Sequence, residues 1–170
     1  TVKMLFENGV EMSQKPFSIG VRIQHPQKII NIAQYGSEKA AEIIGPAEYK
    51  LNCRTSGGRG VYTFCMCPGG ILVPSSTEDG YTVLNGMSNS ARNSKWANAG
   101  VVVSVEPDDV PEEYKKYGTF ALLNFQHDVE KKMYDYAAAH AVPDENGEVN
   151  RFAAPAQRMV DFCEEQMSED

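Results

Sequence analysis

Up to about residue 105 the apolar residues of this chain come in short runs cut by glycine turns, whereas from Leu122 onward they recur every three or four positions. A period of two suits a strand with one buried face, and a period near 3.6 suits an amphipathic helix. The switch predicts an α+β fold with its strands first. Phe17-Ser18-Ile19-Gly20-Val21-Arg22-Ile23-Gln24 alternates cleanly, placing Ile19, Val21 and Ile23 inward and Ser18, Arg22 and Gln24 on the other side. Further strands are expected over residues 49–55, 61–67, 71–74 and 81–84, with turns at 56–60, at Pro68-Gly69-Gly70, at 75–80 and at Asn85-Gly86. Gly100 to Val105 is almost wholly apolar, which suits a strand buried on both faces. Short antiparallel strands joined this way make a curled, mainly antiparallel sheet or a small barrel.

Helices flank this β-rich part, which spans about residues 15–105. Thr1 to Asn8 reads as the end of a helix stopped by Gly9. Pro26 opens a short helix carrying Ile29, Ile30 and Ala33, and Ser37 caps a second with Ala40, Ala41 and Ile44 inward. A helical portion is expected over about 120–167, with short helices elsewhere. Phe125, Val129, Met133 and Tyr136/Ala137 form the stripe of its long helix, and Pro155 opens a last helix with Met159, Phe162 and Cys163 on one side. The tail Ser168-Glu169-Asp170 is expected to fray.

Charge marks the same change of architecture. Residues 1–105 carry 10 basic and 7 acidic side chains, and residues 106–170 carry 6 and 16, for a net charge of −7 overall. Such a chain is a poor polyanion binder, so nucleic acid is an unlikely partner. No apolar run approaches the roughly 20 residues that span a bilayer, and no membrane partner is expected. Four cysteines in 170 residues, without a secretory signal, point to a reducing cytoplasm. Cys65-Met66-Cys67 is not the C-x-x-C of a zinc or redox site, and only Cys53 and a distant histidine could complete a zinc tetrad, so no metal is expected.

No G-x-G-x-x-G, P-loop, G-x-S-x-G or H-E-x-x-H is present, and His25, His127 and His140 lack a nucleophile partner. No catalytic residue is therefore assigned. Two segments are richer. Phe64 to Gly70 ends a strand in a turn whose glycines let a flat ligand approach the backbone. Residues 85–98 are dense in amides and hydroxyls and include the only Trp. Turn chemistry alone also accounts for both.

The blocks Lys15 to Gln27, Gly60 to Gly70, Asn85-Gly86-Met87-Ser88 and Ala154-Pro155-Ala156-Gln157-Arg158 resemble a bacterial family of FAD-dependent dehydrogenases, also labelled NAD/FAD-utilising. The resemblance implies that residues 1–170 are a single inserted middle domain of a longer flavoprotein. Its partner would be a Rossmann-type FAD domain in the same polypeptide, and the start at Thr1, inside a helix, fits an excised piece. It implies FAD in the full-length protein, with NAD(P) as a second cofactor, and most of the FAD site outside this piece, since the glycine fingerprint is missing. Gln24 stands where relatives are expected to carry an acid. The expected role is a substrate-side or capping domain of an oxidoreductase, inactive alone, acting on a small molecule. Its flavin- or substrate-proximal candidates are Cys65, Cys67, Pro68, Gly69, Gly70, Asn85, Ser88, Arg92 and Asn98, with Arg92 steering an anionic group and Cys65 and Cys67 able to exchange electrons with the flavin. A non-catalytic module binding RNA or protein, attached to a flavoprotein, is the alternative.

Overall fold

The computed structural model describes residues 1–148 and 154–168. After helix α1 (Val2–Glu7), β1 (Phe17–Pro26) leads into α2 (Gln27–Tyr35) and α3 (Glu38–Ile44). The strands β2 (Asn52–Arg54), β3 (Gly60–Cys67), β4 (Gly70–Pro74), β5 (Leu84–Ser88) and β6 (Trp96–Val105) follow. Then come α4 (Glu112–Lys115), α5 (Ala121–His140) and α6 (Met159–Cys163). The order fits the period switch, and the fold is α+β.

Four strands form one antiparallel sheet in the order β1-β6-β3-β2, and β4 pairs with β5 as a separate hairpin. The described strands do not close into a barrel. Residues 49–55 yield only the three-residue β2, because Leu51 bonds Thr63 outside the ladder and Tyr49 is buried against His25. The sheet therefore keeps two open edges, β1 and β2.

Directly opposed residues share a face. Pairing Phe17 with Val105 and Ile19 with Val103 makes one face apolar, while Ser18·Ser104, Arg22·Gly100 and Gln24·Asn98 make the other polar. The apolar face is sealed at the Phe17/Val105 end. There Val105, Val110, Tyr114, Ala121 and Leu122 form the core, with Phe17, Ile19 and Phe125 packed on it. Phe6 of α1 stacks edge-on against Phe120 at this same end. Farther along, Val21 is half exposed. The polar face is the one the β4–β5 hairpin covers, which inverts the usual arrangement of a solvated polar face.

Several expectations are corrected. Asn85-Gly86 is no turn, because it lies inside β5, paired with β4. The polar run 85–98 divides into strand, loop and the first residues of β6. Pro26 ends β1 and caps α2 rather than opening it. That helix buries Gln27 and Asn31 while Ile29 and Ala33 are exposed, since its inner side meets backbone polar groups rather than apolar side chains. Ala40 and Ala41 of α3 are half-buried, but Ile44 is exposed. On α5, Ala121, Leu122 and Ala137 are buried, and Met133 and Tyr136 point outward. The last helix is only five residues long and buries Asp161, held by Arg158 and Ser168, with Met159, Phe162 and Cys163 exposed. Glu169 and Asp170 of the expected frayed tail lie outside the described residues.

Candidate functional site

The site is built where the hairpin meets the polar face. Arg22 projects from β1 beneath β5, and its Nη1 donates to Asn98 Oδ1. Its Nη2 donates to Asn85 Oδ1 at 3.1 Å and to the Cys65 carbonyl at 3.2 Å. No carboxylate of the described residues pairs with this guanidinium. Asn98 is fully buried, and its Nδ2 meets no acceptor among the described residues. A half-buried cation and an unmatched buried amide N–H give the node a surplus of donors.

Gly86 explains how tightly the hairpin sits. A Cβ there would overlap both Arg22 Nη1 and Asn98 Oδ1 and lie 2.8 Å from Cys67 Sγ. Guanidinium, amide and thiol thus converge on one point of β5 backbone that only glycine leaves free. Burial and the neighbouring Cys65 thiol push the Cys67 thiol above its usual range, opposed by the hydrogen bond and charge of Arg22.

The adjoining turn is locked from beneath. Gln27 Oε1 accepts from Gly69 N at 2.8 Å, and its Nε2 donates to Asn31 Oδ1 and the Ala47 carbonyl, both at 2.9 Å. Asn31 Oδ1 also accepts from Ala47 N. This satisfied amide clasp ties the turn to α2 and to the segment before Tyr49. Ser88 Oγ donates to the Pro68 carbonyl at 2.7 Å, and Gln24 Oε1 accepts from Leu72 N at 3.3 Å. Gly69 has φ +56°, and a Cβ there would overlap the Arg92 carbonyl. Pro68, Gly69 and Gly70 are all buried, and the room the two glycines leave is filled by the chain itself.

Cys67, Pro68, Gly69, Gly70, Asn85, Ser88 and Asn98 thus come together, and Cys65 joins through its carbonyl. Arg92 joins only through its backbone. Its guanidinium is spent on an ion pair with Glu48 at 2.8 Å, so the cation at this node without a carboxylate partner among the described residues is Arg22 instead. Arg22, Gln27 and Gly86 were not among the candidates. A basic residue opposite glycine in the β1–β6 pair is the signal for Arg22. Gln27 follows directly on His25-Pro26, but its reach to residue 69 is set by tertiary structure alone.

Around the node, Phe64, Ile71 and Met87 are 63%, 49% and 61% exposed. A cleft of about 210 Å³ lies elsewhere, between α1, the connector 12–15 and α5. Among the described residues no cluster of three or more His, Cys, Asp or Glu could hold a metal, and no helix is long and apolar enough to cross a membrane.

Fold and site together define an α+β module with a donor-rich polar node under a hairpin and an exposed apolar margin around it. Residues 16–170 match the family described as FAD-dependent protein, C-terminal domain-like, and the chain belongs to that family. A protein of Clostridium beijerinckii (strain ATCC 51743 / NCIMB 8052), described as an uncharacterized protein, is 36% identical over 169 residues. The match covers 99% of this chain and 29% of that relative, so the chain spans less than a third of its length.

Proposed function

We propose that this chain is the substrate-side domain of an FAD-dependent oxidoreductase, contributing one wall of a site whose flavin is held by another part of the same polypeptide. The family match over residues 16–170 carries this reading. The sequence carries no G-x-G-x-x-G fingerprint, which supports the division of labour, since the dinucleotide then has its phosphate site in a second body. In this reading the host covers Phe64, Ile71 and Met87, excluding water, and the donors of the Arg22–Asn98 node orient an electron-rich or anionic group of the substrate. The bound flavin would supply the redox chemistry.

The family description speaks of a C-terminal domain, whereas the sequence resemblance led to an insertion. Both keep the flavin-binding part in one polypeptide. Helix α1 docks at the Phe17/Val105 end, about 20 Å along the strand from the Gln24/Asn98 end.

The test is the full-length polypeptide. It should purify with FAD bound, take electrons from NADH or NADPH, and keep its flavin when Arg22→Gln slows substrate turnover. A colourless protein that takes up no added FAD would overturn the proposal and favour a plain binding module.

A further inference from the structure

We propose that Cys65 and Cys67 are a reversible dithiol–disulfide couple that exchanges with low-molecular-weight disulfides. The argument starts from register. Phe64 opposes Gly100 and Cys67 opposes Asn98, so three residue steps on β3 face two on β6. Two steps cover about 6.6 Å, and three extended steps would cover about 10 Å. The segment is therefore buckled, and Cys65 takes φ +48°. An i,i+2 pair in a straight strand sits near the ~6.8 Å limit of Cα separation for a disulfide, and buckling brings it inside.

The side chains agree with the backbone. Cys67 Sγ lies 3.5 Å from the Cys65 carbonyl, so its side chain folds back toward Cys65. Arg22 donates to the Cys65 carbonyl, and its Nη1 and the Cys67 Sγ crowd the same point beside Gly86. With no carboxylate partner among the described residues, its charge is available to a thiolate. Cys65 is exposed and Cys67 half-buried, which gives them different parts.

The Cys65 thiolate attacks one sulfur of an oxidised glutathione, forming a mixed disulfide and expelling one glutathione thiolate. Cys67 then gives its proton to solvent and attacks Cys65 Sγ beside Arg22, expelling the second. Two thiols are oxidised by two electrons, and one glutathione disulfide is reduced to two thiols. The oxidant is added, so the couple stands or falls separately from the flavin reading.

The experiment equilibrates the full-length polypeptide in mixtures of reduced and oxidised glutathione, blocks free thiols by alkylation and maps peptides by mass spectrometry. The expected result is one two-electron transition to a peptide lighter by two hydrogens, with Cys65 and Cys67 protected together. Cys53 and Cys163, also exposed, serve as internal comparisons and should stay free of any bridge to this pair. Cys67→Ser should stop at the mixed disulfide on Cys65. Arg22→Gln should slow closure about tenfold, with Arg22→Lys restoring it in part. If Cys65 and Cys67 take glutathione independently, or neither reacts at any ratio, the proposal is overturned. The wild-type titration alone decides this even if a variant fails to fold.

Discussion

Gly69 and Gly86 are where single atoms matter most in this chain. Alanine at 69 meets both a left-handed φ and the Arg92 carbonyl. It should cost about 3 kcal/mol, the sum of overpacking and backbone strain. Alanine at 86 strains only the contacts with Arg22, Asn98 and Cys67. We expect a loss of about 1–3 kcal/mol there, read from the urea midpoint, together with a more reactive Cys67 as the hairpin lifts. Gln27 is 5% exposed, and each of its amide atoms is bonded. Gln27→Leu would strand the Gly69 N–H and the Ala47 carbonyl, costing about 2–3 kcal/mol by the same measurement. A variant as stable as wild type would show that the clasp is not what holds the turn. Arg22 and Gln24 look like an ordinary solvated strand face in sequence, and what bonds them is a hairpin some fifty to sixty residues later.

Between elements, the joint at the end of β6 depends on one ion pair. Arg59, from the β2–β3 turn, donates to both Asp109 oxygens at 2.6 and 2.9 Å and to the Ser104 carbonyl at 2.7 Å. Asp109 also caps its own turn through Glu106 N. Arg59 and that backbone N–H hold the Asp109 carboxyl down at about 2, below its ordinary 3.8. A depressed carboxylate stabilises the fold above its ordinary value and loses that contribution as pH falls toward the folded one. Wild type should therefore unfold at a higher temperature than Asp109→Asn at pH 5, and the gap should close between about pH 4 and pH 2. A gap that persists at the lower pH would mean that the pair is not the cause. The position of this joint was legible beforehand, because Glu106 to Pro111 marks both the charge change and the end of the strands. The extent of β6 was not, since Trp96 to Asn98 reads as polar loop until pairing with β1 supplies its hydrogen bonds.

For the molecule as a whole, exposed apolar area is the main feature. Phe64 and Met87 are 63% and 61% exposed, so Phe64→Ser with Met87→Ser should shift the stability of the chain alone by under about 1 kcal/mol. In the full-length polypeptide the same pair should loosen the flavin, read as faster FAD release on dilution. Equal release rates would separate this margin from the cofactor and leave it unexplained.

The sequence by itself determined the α+β class, the place where strands give way to helices and most turn positions, because periodicity, glycine and proline act over a few residues. It also carried the relation to FAD-dependent proteins that the match over residues 16–170 supports. Only tertiary structure decided that the polar face of β1 is the covered one, that Asn85-Gly86 is strand rather than turn, and that Arg22 rather than Arg92 is the unpaired cation beside the thiols. Each of these turns on which distant backbone comes to rest above a residue, and local patterning holds no record of that.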